Sequence, residues 1–348
     1  MEYLNNNTHQ NYCLNNANLE LVKTIELDSK KGDFYLDNFS AIYYINKTDQ
    51  LFLLSDSPKG YVVRLNSFSS LINSSNSRIL ISEKDILKFK YNLLEKIFNK
   101  GDGEGLRIIG NSLFVLNEKK YWAWREPFAR TYQPATFQKY NLKDGKRIKN
   151  IKLPNAFMKD ALGSESLALS KNGSFLLANE GNIPNINFKD PNYGTFLKIF
   201  SRFNIFKKEN KEKAFTYARY LTINKNFEIS GVSTFLIGGS KLRDLYIVKE
   251  QDILLALTSN YIVKGFKIEE TENKIDIKDQ IFEWKIPLKE NWEGITKGPK
   301  LIGNESLLLV NDNNFYKKYS NGRKKIPNII SIFSIKKNSR CIREKFSL

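Results

Sequence analysis

The chain has 348 residues, 41% hydrophobic and 13% aromatic, which is enough apolar surface for a large core and too much for wholesale disorder. Its formal net charge of +18 is scattered along the whole length beside abundant asparagine and isoleucine, and no RNA- or DNA-binding module is recognisable. The charge therefore reads as composition, and no nucleic-acid partner is expected. The single histidine, His9, excludes histidine triads and histidine-ligated metals.

The first residues, 1–17, are polar and Asn-rich and lack the basic start and apolar middle of a secretory signal. No run approaches the length of a spanning helix, so no membrane span is expected. From residue 18 onward, short β-branched and aromatic runs alternate with Asn, Gly, Asp and Ser clusters, and helical periodicity is nearly absent. The class is all-β, and five hairpins recur in order. Ser40-Ala41-Ile42 returns through 51–54 to Ser55-Asp56. Glu104-Gly105-Leu106 returns through 113–116 to Asn117-Glu118, and Glu165-Ser166-Leu167 through 175–178 to Asn179-Glu180. Asp244-Leu245 returns through 253–257 to Thr258-Ser259, and Glu293-Gly294-Ile295 through 307–310 to Asn311-Asp312.

The spacing of about 50 to 80 residues suits a four-stranded propeller blade. Further strands are predicted at 61–68 and 78–82, 137–141 and 147–153, 196–203 and 215–223, and 261–268 and 275–286. The last blade has only 329–335 to follow its hairpin, and the strand 18–27 is predicted to complete it and close the ring. The expectation is a single closed β-propeller over 18–340, five blades favoured and six still open, with an N-terminal arm at 1–17, a tail at 341–348, and a monomeric state.

In an antiparallel hairpin, the residue before the first strand and the one after the second share an end. Glu104 with Glu118, Glu165 with Glu180, and Glu293 with Asp312 then gather at the mouth of the central channel, where repulsion raises their pKa values unless a cation or basic group compensates. Carboxylates with the neighbouring Asn117, Asn179 and Asn313 suit Ca²⁺ or Mg²⁺. The alternative is that Asp, Asn and Ser at strand ends only satisfy turn backbones. Glutamate is a poor turn residue, which favours function for Glu104, Glu165 and Glu293. The run Tyr121-Trp122-Ala123-Trp124-Arg125, with Arg130 and Tyr132, is either a substrate wall or packing between blades. Gly101-Asp102-Gly103-Glu104-Gly105 is no phosphate loop, because no helix follows it.

At Asp102-Gly103-Glu104-Gly105-Leu106, at Glu165-Ser166-Leu167-Ala168, and at 291–296 through 307–315, the chain resembles the bacterial esterase-like phytase family, and 39–56 is similar to that family's opening motif. The resemblance implies an exported β-propeller that hydrolyses phosphate or carboxylic esters of a small molecule. It carries acidic positions onto Asp56, Asp102, Glu104, Glu118, Glu165, Glu180, Glu293 and Asp312. Glu104, Glu165 and Glu293 are the catalytic candidates, and Asp56, Asp102, Glu118, Glu180 and Asp312 with the three asparagines are the metal candidates. Two departures stand out. Asp37-Asn38 replaces paired glycines, and Thr258-Ser259 replaces a Glu-Arg pair, removing one acid and one anion-binding arginine. A non-catalytic binding propeller therefore stays open beside the hydrolase.

The two cysteines, Cys13 and Cys341, lie near the chain ends. If 18–27 pairs antiparallel with 329–335, both fall just outside the same junction, which predicts a disulfide locking the closing blade and an oxidising, extracytoplasmic location.

Overall fold

The computed structural model describes residues 14–29, 36, 38–56, 60–90, 103–118, 135–154, 163–181, 215–301, 303–313 and 327–336. It is a five-bladed β-propeller, one sheet to each blade. The chain enters on β1 (Asn18–Ser29) and builds blade 1 from β2 (Phe39–Ile45), β3 (Gln50–Ser55) and β4 (Tyr61–Asn66). β5 (Arg78–Ile81) leaves that blade, and β6 (Ile86–Lys88) returns to complete it. Blade 2 holds β7 (Gly103–Ile109), β8 (Ser112–Asn117), β9 (Thr136–Asn141) and β10 (Arg147–Lys152). Blade 3 holds β11 (Ser164–Leu169), β12 (Phe175–Asn179), β13 (Tyr217–Ile223) and β14 (Ser233–Leu236). Blade 4 holds β15 (Leu242–Val248), β16 (Ile253–Thr258), β17 (Ile262–Glu270) and β18 (Ile275–Lys285). Blade 5 runs β19 (Trp292–Lys297), β20 (Ser306–Asn311), β21 (Asn328–Lys336), β1 and β5. The innermost strands β2, β7, β11, β15 and β19 touch in that cyclic order around the axis.

The continuous apolar runs, such as Leu307-Leu308-Leu309-Val310, follow from this stacking of blades. Leu307 and Leu309 pack against blade 4 while Leu308 and Val310 pack against blade 1. β16 behaves alike, with Ile253, Leu255 and Leu257 toward blade 5 and Leu254 and Ala256 toward blade 3. A strand buried on both faces loses the polar half of the two-residue alternation. The core is accordingly five apolar clusters, one between each pair of neighbouring blades.

Ring closure follows the predicted pairing. β1 runs antiparallel to β21, from Asn18 opposite Lys336 to Leu27 opposite Asn328. Cys13 and Cys341 lie outside the described residues, each five positions beyond that first pair. On that register we propose the bridge. Thiol titration of the unreduced, denatured chain is expected to find no free cysteine, and two free thiols would refute it.

Two strand expectations are corrected or left outside, and one strand was not foreseen. Residues 78–82 were expected in blade 1, but β5 pairs in parallel with β1, Glu26 opposite Arg78 through Ser29 opposite Ile81. The short helix Phe68–Asn73 buries Phe68 and Ile72 and carries the chain across to blade 5. Lys23 Nζ donates to the carbonyls of Ile72, at 2.8 Å, and Ser74 at the helix end, where a cation is favoured. The outer strand of blade 3 is β14, a four-residue segment too short to show a period. Residues 196–203 lie outside the described residues, as do 121–132 with their aromatic and basic run.

Candidate active site at the axial ring

Every blade carries a β-bulge at the same place on its innermost strand. In β7, Gly103 faces Asn117 and Gly105 faces Leu116, which leaves Glu104 as the extra residue. The same shift isolates Glu165 in β11, Glu293 in β19, Ser40 in β2 and Arg243 in β15. A bulge turns its extra side chain away from the ladder, and here it supplies each blade's contribution to one ring. The fourth member is therefore Arg243. The sequence repeat, aligned on acidic residues, started that hairpin one residue late at Asp244. The marker that would have found it is the aliphatic residue two places on, which is Ile42, Leu106, Leu167, Leu245 and Ile295 in turn.

A second ring follows the second strands, at Asp56, Glu118, Glu180, Ser259 and Asp312. The backbone N–H groups of Asp56, Glu180, Ser259 and Asp312 donate to the carbonyls of Asn38, Gly163, Lys241 and Asn291, each two residues before a bulge. Asn38 and Asn291 also donate side-chain hydrogen bonds to Asp56 and Asp312, at 3.3 and 3.2 Å. The Glu118 carboxylate lies against Gly163, where any side chain would collide with it. Lys241 stands at the equivalent place one blade on, and its Nζ donates to both oxygens of Glu180 at 2.7 Å.

The two rings form one electrostatic unit. Arg243 Nη1 lies 3.0 Å from Glu293 and 3.6 Å from Glu180. Burial works against the guanidinium charge, but Glu293, Glu165, Glu180 and Glu104 together hold it more firmly protonated than usual. Burial, then Glu180, Glu118 and Glu293, lift the Glu165 carboxyl well above the usual carboxylate range, and Arg243 only eases this. Burial also pushes Glu293 up to about 8, opposed by Arg243 and Lys241 and reinforced by Asp312 and Glu180. Two carboxyls of the centre, Glu165 and Glu293, are thus raised beside a fixed cation, the direction that suits a general acid.

Past the bulges the innermost strands carry a buried polar layer, a floor to the ring. Arg107, 1% exposed, donates to the carbonyls of Leu106 and Leu245 and sits 3.7 Å from Asp244. Its guanidinium lies over the rings of Tyr43 and Tyr246, at 5.3 and 5.9 Å from their centroids. Asp244 follows its bulge directly, where Gly105 and Gly294 follow theirs. At those glycines a Cβ would come within 2.5 Å of Leu167 Cβ and 2.9 Å of the Ile42 nitrogen on the next blade. Asp244 meets the same approach by accepting the Ile295 N–H at 2.9 Å and the Leu245 N–H at 2.8 Å.

A family model described as phytase-like, esterase-like activity of phytase, matches residues 35–315. The chain belongs to this family. A search of curated protein sequences finds no match. Among solved structures the chain is similar to a calcium-binding protein, regucalcin, from Agrobacterium tumefaciens strain C58. That likeness has 9% identity and a TM-score of 0.46, covering 90% of this chain and 97% of that one. It is also similar to the Cps50 (Swd1) β-propeller domain of Myceliophteria thermophila, at 11% identity and TM-score 0.40, over 91% of this chain and 100% of that one. The Dos1 propeller matches at 8% identity and TM-score 0.37, over 86% and 68% of the two chains. Scores this low carry nothing about function.

Of the acidic positions carried over from the phytase-like family, all but Asp102 lie among the described residues, and they occupy the two rings by register. The asparagines divide. Asn179 Oδ1 accepts from Ser164 Oγ at 3.3 Å, and the Asn311 side chain holds Ile329 N–H and the Pro327 carbonyl, which are strand-end duties. Asn117 and Asn313 are buried, at 6% and 1% exposure. Oxygen donors of these types suit a hard cation in kind. In arrangement they do not fit one. Among the described residues no three acidic side chains group as its ligands would, and the positive charge beside them belongs to Arg243 and Lys241. Both cations escaped the sequence reading, which looked for a basic partner after the fourth hairpin and found Thr258-Ser259. Among the described residues no helix is long and apolar enough to cross a membrane, which says nothing of strands.

Proposed function

We propose that the axial ring hydrolyses an ester of a small molecule by carboxyl acid–base chemistry. The observation that carries this reading is the grouping of Glu165, whose carboxyl is raised well above the usual carboxylate range, with Glu104, Glu293 and the Arg243 cation on equivalent bulges of one ring. Glu104 draws a proton from a water that attacks the ester carbon. Glu165 gives its proton to the departing alkoxide oxygen, so one water is consumed and an acid and an alcohol leave. Glu293 and Arg243 keep the two glutamates at their posts. Among the described residues the two rings carry seven acidic side chains against Arg243 and Lys241, a surplus of acids that remains with Glu165 and Glu293 raised and that favours an uncharged acyl ester over a phosphomonoester dianion.

Hydrolysis of p-nitrophenyl acetate and butyrate is expected to exceed that of p-nitrophenyl phosphate. Glu104→Gln and Glu165→Gln are each expected to lower kcat by about 10²- to 10⁴-fold while the protein stays folded. Turnover unchanged in both variants would sink the reading. Because the donors suit Ca²⁺ or Mg²⁺ in kind, the assay is run with each ion and with chelator. The second reading, a binding propeller without turnover, is favoured by Thr258-Ser259 standing where the family carries a Glu-Arg pair. It predicts ligand binding with no hydrolysis of any ester offered.

A further inference from the structure

Five equivalent bulges would allow five equivalent side chains, and the exception among the charged ones is informative. Three positions hold glutamate, Ser40 donates its hydroxyl to the Gly103 carbonyl of the next blade, and the remaining one holds Arg243. Buried glutamates gathered in one ring repel one another unless a positive charge enters it. That charge comes either from solution, as a divalent ion, or from the chain. We propose that Arg243 is a tethered counter-ion that takes the place of a divalent cation at the axial ring, and so sets how weakly the ring binds one.

The contacts fit a role in charge more than in shape. Nη1 faces Glu293 at 3.0 Å and Glu180 at 3.6 Å, while the buried Nε has no hydrogen-bond partner in the described structure. Lys241 holds both oxygens of Glu180 at 2.7 Å, so that carboxylate is already engaged on its outer side. A metal ion at the axis would face the guanidinium charge above the Arg107 charge of the floor, with Glu180 and Glu293 already bound to cations. The absence of any three-carboxylate grouping among the described residues is the expected consequence of such pairing.

The inference rests on the ring being the site proposed above, but its test is binding alone. A protein that turns over no ester can still pass it, and an active hydrolase can still fail it. Calorimetric titration of the full chain with Ca²⁺ is expected to show no ring binding tighter than about 1 mM. Arg243→Gln removes the counter-ion and is expected to bind Ca²⁺ at least about tenfold more tightly. Arg243→Gln combined with Glu293→Gln should lose that gain, and Arg243→Lys should behave as the wild type. A folded Arg243→Gln protein with no gain overturns the proposal. Where Arg243→Gln does not fold, the wild type decides. Binding tighter than about 1 mM that disappears in Glu293→Gln overturns the proposal, and its absence supports it.

Discussion

Replacing Arg107 by leucine is expected to destabilise the protein by about 3–5 kcal/mol, the cost of leaving a buried charge without its partner. Arg107 and Asp244 are 1% and 0% exposed, and their contacts join three blades. Arg107 comes from blade 2 and reaches the Leu245 carbonyl of blade 4, while Asp244 of blade 4 accepts the Ile295 N–H of blade 5. Removing the guanidinium strands the Asp244 carboxylate and frees the two carbonyls that Arg107 satisfies. The double variant Arg107→Leu with Asp244→Asn is expected to recover part of the loss, because the asparagine oxygen still accepts backbone N–H groups without a charge to bury. Urea unfolding of the single and double variants measures both, and a single-variant loss below about 1 kcal/mol would show the floor to be incidental.

Raising the pH from about 4 to about 8 is expected to weaken the fold through its own carboxyl groups. Burial pushes Asp244 up to about 7, against Arg107 and the backbone N–H groups of Ile295, Leu245 and Leu167, and Glu293 rises to about 8. The sign is opposite to that of an ordinary paired carboxylate. Below the unfolded value, near 4, both states are protonated and nothing is lost. Between that value and the folded one, only the folded state still holds the proton, so stability falls as pH rises, and above about 8 the loss is complete. For Asp244 the shift corresponds to a loss on the order of 4 kcal/mol. The clean readout is the wild type compared with Asp244→Asn combined with Glu293→Gln, since other titrations are common to both. The difference in denaturant midpoint should change steadily across this window. A constant difference would mean that neither carboxyl carries a raised pKa.

How far the residues alone lead can be judged strand by strand. The five hairpins, the all-β class and the closure of blade 5 by β1 against β21 are local or end-to-end patterns. Each depends on apolar runs and turn residues that a strand shows whatever lies beside it. The acidic residues Glu104, Glu165, Glu293, Glu118, Glu180 and Asp312 were legible for the same reason, because glutamate flanking a strand has no turn duty to explain it. β14 and the excursion of β5 were not legible. A four-residue edge strand has no measurable period, and a parallel pairing of Arg78–Ile81 with β1 is chosen by the helix and Lys23 across the blade junction, contacts with no local signature.

The site divides along the same line. The sequence by itself determined that this chain is a repeated β-array, with five blades favoured over six, and that carboxylates recur at equivalent hairpin ends, since these follow from spacing and residue type; the structure decided for five. Only the tertiary structure decided which residue each bulge turns toward the axis, because a one-residue slip in register exchanges Asp244 for Arg243 and so the sign of the charge delivered. It likewise decided that Asp244 and Arg107 meet in one buried layer, since their partners lie on other blades and depend on closure of the ring. Side-chain chemistry is written residue by residue, but the field in which it acts is summed over neighbours that the chain brings together only when folded.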